Sequence, residues 1–368
     1  MTTGLGGELA RRRIVVVCGS GGVGKTTVSA AIAVGQARAG RRTVVMTVDP
    51  ARRLVGALGL PRAPGEQRTV RLDDGTELDA IMLDTKRTFD ELVARNAGSA
   101  ERRDAILNNG FYRRMSDNLS GTHEYMAMER LYELATDPER EWDAIVVDTP
   151  PTRSALSFLD APKRMLDFLG GRMFRWLLWP YRRVGKAGIR GMNLGARALG
   201  ATVGRIAGAD LLRDTAEFLG AFEGMYDGFR QRAQKVQELM GERHTGFVVV
   251  AAPDQGSLQE AGHFVDRLSE AGMHLAGVVV NRSRTAPAVE VAAEVAERLR
   301  SGSAEERATA ACVEVAGRIR AAERRGAEAV AAFRKRHPVA QLATVPELPL
   351  DVHDRLGVDL VAGHLLGA

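Results

Sequence analysis

The stretch Ile14-Val15-Val16-Val17-Cys18, continued by Gly19-Ser20-Gly21-Gly22-Val23-Gly24-Lys25-Thr26-Thr27, decides the fold. Its first five residues are apolar and mostly β-branched, as in a strand buried on both faces. Gly19 to Thr26 then fit G-x-x-x-x-G-K-[ST], a loop whose backbone N–H groups turn toward one cluster of phosphate oxygens. In that reading Gly21, Gly22, Val23, Gly24, Lys25, Thr26 and Thr27 form the phosphate cradle. Lys25 supplies the cation for the β- and γ-phosphates, and the Thr26 hydroxyl is a hard oxygen ligand suited to Mg²⁺. Ser29-Ala30-Ala31-Ile32-Ala33 continues as a helix whose N-terminal dipole faces the same phosphates. The competing reading is a glycine-rich turn without a ligand. The succession of strand, loop and helix in the required order argues against it.

Working outward, Gly40 ends the helix, and Thr43-Val44-Val45-Met46-Thr47-Val48 is a second strand running into Asp49-Pro50-Ala51. Strand, helix and strand within roughly 36 residues make a βαβ unit and hence a parallel sheet. Residues 61–78 read as a loop or small hairpin turning at Asp73-Asp74-Gly75, followed by a strand at Ala80-Ile81-Met82-Leu83-Asp84. Residues 86–136 read as helices broken near Gly98 and near Ser120-Gly121. Ala144-Ile145-Val146-Val147-Asp148 is an apolar strand with a carboxylate at its C-terminal tip, where a parallel sheet places ligand-binding groups. Asp148 there suits a Mg²⁺ ligand, or the holder of a Mg²⁺-bound water; a helix-capping Asp is the plainer alternative. Phe247–Ala252, Leu275–Asn281 and Gln341–Val345 supply further strands, and 287–336 reads as long solvent-facing helices broken near Ser301-Gly302-Ser303. Residues 1–10 are glycine-rich and expected to fray.

Composition bounds the rest. The 368 residues, 45% hydrophobic and 26% charged, are ordinary for a globular chain with a sizeable core. The net charge of +5 is small for this length and gives no argument for nucleic acid. The two cysteines, Cys18 and Cys312, make neither a zinc spacing nor a disulfide framework, which fits a reducing cytoplasm. Arg11-Arg12-Arg13 precede only five apolar residues, too few for a secretory signal, and no run is long and apolar enough to span a bilayer.

Residues 160–245 interrupt the α/β alternation and read as an inserted helical subdomain within a single domain over 1–368. No acidic residue occurs between Phe168 and Ala209, while Arg172, Arg175, Arg182, Arg183, Lys186, Arg190, Arg197 and Arg205 do. Trp176, Trp179 and Tyr181 lie among them. A basic segment with interfacial aromatics fits an anionic membrane surface or an apolar client; a solvated basic face is the plain alternative.

Taken together, these motifs resemble the arsenite-pump ATPase (ArsA) family, which includes the targeting factor for tail-anchored membrane proteins and belongs with the MinD-like dimerising P-loop ATPases. Similarity is greatest to the actinobacterial ArsA-like ATPases. Gly19–Thr26 resembles the family's G-K-G-G-V-G-K-T loop, and Asp49-Pro50-Ala51 with Leu54 its first switch. Asp148-Thr149-Pro150-Pro151-Thr152 resembles its second switch, D-T-A-P-T. Val278–Arg282 resembles the strand end whose Asn reads adenine, and Gly121 with Glu124 is a weaker match to P-G-x-x-E. The resemblance implies a mostly parallel α/β sheet of seven or eight strands with helices on both faces. It implies ATP and Mg²⁺ as ligands, with Thr26, Asp49 and Asp148 at the metal. Asp49 and Lys25 are the implied catalytic residues: Asp49 orients the attacking water. Asn281 is implied at the adenine, with Pro346 in the loop that covers it.

Three departures from the family pattern stand out. Ser20 stands where the family has a lysine that crosses the dimer interface, Gly56 where a later switch Asp is expected, and Arg153-Ser154 where Gly-His is usual. The resemblance thus implies a Mg-ATP-dependent dimeric switch ATPase, pairing with itself or with a lysine-bearing paralogue. Its client is a membrane protein, a membrane surface or an apolar segment, met in the cytoplasm or at the inner face of the membrane. A nucleotide-binding regulatory subunit with little turnover and a MinD- or ParA-like positioning ATPase remain open alternatives.

Overall fold

β1 (Ile14–Gly19) lies at the middle of an eight-stranded sheet in the order β3-β4-β2-β5-β1-β6-β7-β8. The other strands are β2 (Thr43–Thr47), β3 (Gln67–Arg71), β4 (Glu77–Met82), β5 (Ala144–Asp148), β6 (Thr245–Ala251), β7 (Leu275–Ser283) and β8 (Leu342–Pro346). All neighbours pair in parallel except β3 and β4. That one antiparallel pair is the hairpin turning at Asp73-Asp74-Gly75, where Gly75 takes φ 85°. Every residue of β1, β2, β5 and β6 is buried, as the continuous Val/Ile runs require when both faces of a sheet are covered.

This computed structural model describes residues 4–48, 53–58, 65–110, 112, 122–150, 226–284, 293–349, 352 and 355–366. The basic segment 168–209, the first-switch residue Asp49 and the departures at Arg153-Ser154 fall outside the described residues.

The chain divides into two units. One combines Met1–Met82, Arg140–Leu156 and Gly241–Ala368; the other combines Leu83–Glu139 and Ser157–Met240. In the sheet unit, α1 (Leu5–Ala10) replaces the frayed start expected from the sequence. Its Leu5 and Leu9, four residues apart, are buried, and Gly6 lies so close to Leu366 that a Cβ would sit 3.1 Å from that residue's carbonyl oxygen. α2 (Lys25–Arg38) follows the glycine loop and is buried on most of its surface, so its alanines and valines serve as core. The short α3 (Arg53–Ala57) follows β2.

In the helical unit, α4 (Thr85–Asn96), α5 (Ala100–Leu107), α6 (Thr122–Thr136) and α7 (Tyr226–Gly241) are described, α7 ending at its border. The break between α4 and α5 falls at Gly98, as its place in the sequence predicts, and Ser120-Gly121 lie outside the described residues. Back in the sheet unit, α8 (Gln255–Glu270) connects β6 to β7. α9 (Ala293–Arg300) and α10 (Ala304–Arg336) are separated at Ser303, whose hydroxyl accepts from the Glu306 N–H in a capping box. α11 (Arg355–Leu366) packs on α2 through Val358, Val361, Ala362 and Leu365. The sequence reading passed over this helix although its i, i+3, i+4, i+7 spacing was there to be counted.

Candidate nucleotide site

The parallel register sets three residues in a row at the C-terminal edge of the sheet. Asp148 on β5 lies opposite Val17 of β1 on one side and opposite Thr47 of β2 on the other. On the far side of β1, the loops after β1 and β6 depart toward helices serving opposite halves of the sheet. A crevice opens at such a point. Here a cleft of about 510 Å³ is lined by Ser20, Gly21, Gly22 and Val23 from the first loop and by Ala252, Asp254, Gly256, Ser257 and Glu260 from the second.

The glycine loop is held close to β6 and to the end of β7. Gly19 takes φ 148°, and a Cβ there would lie 2.2 Å from the Val250 carbonyl oxygen. Gly24 takes φ 94°, and its Cβ would lie 2.2 Å from Nδ2 of Asn281. Both positions therefore need glycine for conformation and for space. Val23 is buried beneath the loop, Gly21 and Gly22 face solvent, and Thr27 is half-buried in the first turn of α2. Lys25 is only 6% exposed, and its Nζ donates to the Ser20 carbonyl oxygen at 2.8 Å. The loop lysine thus arches back over its own loop.

Asp148 is fully buried and sits among hydroxyls. Thr26 Oγ1 and Thr47 Oγ1 each donate to Oδ2 at 2.9 Å, and Ser29 Oγ reaches Oδ1 at 3.4 Å. Thr149 Oγ1 donates to the Val17 carbonyl oxygen at 2.8 Å and closes the row. The structure therefore brings Thr26 and Asp148 together, two hard oxygen ligands of the kind Mg²⁺ takes while keeping most of its waters. Neither Thr47 nor Ser29 was singled out from sequence. Thr47 could have been, because it lies two residues before Asp49 in the sequence, the spacing at which residues of an extended run share a face. Buried beside the loop, the Cys18 thiol is pushed well above its ordinary pKa by desolvation, with Lys25 pulling the other way. It stays protonated and inert.

Asn281 is brought to the loop, 6% exposed, with Nδ2 donating to the Val23 carbonyl oxygen at 2.8 Å. Pro346 ends β8 opposite Ser283 of β7, and the Glu347 N–H donates to the Ser283 carbonyl oxygen at 2.9 Å. Ser20 turns its hydroxyl to within 3.5 Å of Ser257 Oγ, which itself accepts from the Ala252 N–H at 2.9 Å. No sequence signal pointed to Ser257. Glu124 stands half-buried in the first turn of α6, in the helical unit.

Comparison with known proteins agrees with this geometry. The family described as anion-transporting ATPase matches residues 12–301. ATPase get3 of Aspergillus terreus is 32% identical over 154 residues, 41% of this chain and 43% of that protein. ATPase ARSA2 of Chlamydomonas reinhardtii is 26% identical over 272 residues, 73% of this chain and 67% of that protein. The putative arsenical pump-driving ATPase 1 of Aquifex aeolicus is 25% identical over 279 residues, again 73% of this chain and 63% of that protein. The match thus spans from under half to about two thirds of the curated relatives' length. With the loop, the buried strand-end carboxylate and the parallel sheet in place, the chain belongs to the anion-transporting ATPase family and carries its ATPase domain.

Proposed function

We propose that this chain binds Mg²⁺-ATP in the glycine loop, hydrolyses it to ADP and phosphate, and works as a dimeric switch that couples nucleotide state to a client. The observation that carries this reading is the junction of Thr26 and Asp148 at 2.9 Å beside Lys25, on a loop whose Gly19 and Gly24 leave no room for a side chain.

Each residue's task follows from its placement. Lys25 exchanges the Ser20 carbonyl for the β- and γ-phosphate oxygens, a contact worth more in a desolvated loop than in water. The loop N–H groups and the first turn of α2 hold the remaining phosphate charge. Thr26 Oγ1 and the Asp148 carboxylate would hold Mg²⁺, which, when bound, neutralises charge on the transferring phosphoryl group. Thr47 and Ser29 fix the orientation of the Asp148 carboxylate by donating to it. Asp49 follows Thr47 by two residues and is assigned the orientation of the attacking water. Asn281 braces the loop through Val23, and its remaining acceptor capacity together with Pro346 is assigned to the adenine edge.

The client is proposed to be a membrane protein, an anionic membrane surface or an apolar segment, met in the cytoplasm or peripherally at the membrane through the basic stretch in 160–245. No helix among the described residues is long and apolar enough to cross a membrane. Ser20 favours a second reading, a subunit with little turnover of its own. A hydroxyl held near Ser257 cannot supply the cation that the family's lysine would carry across a dimer. The same observation supports pairing with a paralogue that keeps the lysine.

Calorimetry of ATP binding to the parent chain and to Lys25→Ala tests the loop. Binding should be lost in the variant while the fold persists, and unchanged affinity would end the assignment. Turnover of the chain alone and mixed with its lysine-bearing paralogue separates the two readings. A faster mixture supports pairing, and equal rates make Ser20 a neutral substitution.

A further inference from the structure

The end of β7 carries a local distortion that the loop-bracing role of Asn281 does not account for. From Val280 to Ser283 the strand advances three residues, while its partner β8 advances two, from Thr344 to Pro346. One residue is therefore extra, a bulge of the kind that re-aims side chains beside active sites. Within it Arg282 adopts φ 60°, the left-handed region, and it is the only non-glycine residue with positive φ among the described residues. Glycine or asparagine would hold that backbone at lower cost.

Packing gives no reason for an arginine there. Arg282 is exposed and has no hydrogen bond or ion pair among the described residues, whereas Arg284, two residues on, is tied to Glu347 at 2.7 Å. The residue on the other side, Asn281, faces inward and holds the phosphate loop at Val23. The bulge thus turns one side chain of the pair into the loop and leaves the next, a free guanidinium, at the C-terminal edge of the sheet where nucleotides bind. Backbone strain that persists without a packing return is characteristic of ligand-binding positions.

We propose that Arg282 is a nucleotide-contacting residue whose planar guanidinium lies across the face of the purine seated beside Asn281. The inference rests on the loop binding ATP, as proposed above. Arginine over an aromatic face is a stacking and cation–π contact that a lysine or a glycine does not reproduce.

Arg282→Gly tests it, because the substitution removes the contact and the strain together. The melting temperature of the nucleotide-free variant should hold or rise, while the Kd for ATP, by calorimetry, should weaken roughly three- to thirtyfold. Affinity for inorganic triphosphate, which has no base, should stay within about twofold, a change too small for loss of such a contact. ATP affinity within that same margin of the parent would overturn the inference, as would an equal loss for triphosphate, which would put the guanidinium on the phosphates. Lys25→Ala run alongside separates the causes. If it loses ATP while Arg282→Gly does not, the Arg282 assignment alone falls. If neither loses ATP, both assignments fall.

Discussion

The two units bury a carboxylate each, by opposite means. Asp148 in the sheet unit is 0% exposed and is surrounded by the hydroxyls of Thr26, Thr47 and Ser29. Glu129 on α6 is also 0% exposed, yet its Oε1 is bound by a charged group, the Arg232 Nε of α7 at 2.6 Å, and its Oε2 has no hydrogen-bond partner among the described residues. Nearby the Tyr125 hydroxyl is buried without a partner among the described residues, and Arg232 stacks over the Tyr132 ring at 4.3 Å. Glu133, one turn on from Glu129, pairs with Arg95 and with Arg130.

The difference has a functional sense. The hydroxyls of Thr26, Thr47 and Ser29 orient the Asp148 carboxylate without themselves carrying a compensating charge. An arginine neutralises its partner and holds two helices together, at a desolvation cost that the second Glu129 oxygen leaves uncompensated. The carboxylate at the sheet edge is the one assigned to Mg²⁺ in the proposed function, and the one on α6 is a cross-link between α6 and α7. Burial pushes the Glu129 carboxyl above its usual range, with Arg232 pulling it back. The folded helical unit thus holds that proton more tightly than the unfolded chain. The stability from this group is full below the unfolded carboxylate pKa of about 4.3 and is lost as pH rises through the raised folded value.

The largest effect should come from breaking the cross-link. Arg232→Met leaves Glu129 buried without its counter-ion, at a cost of about 3 kcal/mol at neutral pH. That is the low end for a broken buried pair, because the Arg232 side chain keeps 27% of its exposure. Hydrogen exchange of the α6 amides should report the loss, which should shrink on acidification as Glu129 takes up a proton. A deficit independent of pH would mean that Glu129 is not the group left uncompensated.

A smaller effect on stability is expected at the other carboxylate. Asp148→Asn keeps the size of the side chain, and the hydroxyls of Thr26, Thr47 and Ser29 can reorient toward an amide, so the cost should be about 1–2 kcal/mol in urea unfolding. Its signature is functional: the Mg²⁺ dependence of ATP binding should vanish. Retained Mg²⁺ dependence would move the metal away from β5. The smallest change sharpens the contrast from the other side. Tyr125→Phe deletes a buried hydroxyl that has no partner among the described residues, and should leave stability unchanged or raise it by up to about 1 kcal/mol. A loss of that size would show that an internal water satisfies the hydroxyl.

Much of the site was legible as spacing. Gly19–Thr26 and Asp148 sit in short segments where motif and strand end coincide, and each element near them lies within a residue or two of its reading. Other features had no local signature. The Ser257 contact to Ser20 joins residues 237 positions apart, and Asn281 meets Val23 across 258. Arg232 meets Glu129 across 103. Nothing in the windows around Ser257, Arg232 and Glu129 distinguishes them from solvated polar positions, and Asn281, which the resemblance places at the adenine, carries no local sign of its contact with Val23. At Leu5–Ala10 local composition pointed the wrong way, because two glycines in a six-residue helix are overruled by burial of Leu5 and Leu9.

By itself, the sequence determined the phosphate loop, the parallel α/β order, the strand-end Asp148 and the absence of a lysine at Ser20. These depend on residue type and on periods of two and 3.6, which a linear chain displays directly. Only the tertiary structure decided that Asp148 is held by hydroxyls and Glu129 by an arginine. It also decided that Asn281 braces the loop, and that a one-residue bulge leaves Arg282 exposed at the sheet edge with no partner among the described residues. Register and pairing between distant strands and helices set those outcomes, and a shift of one residue on β7 would exchange which of Asn281 and Arg282 faces the loop.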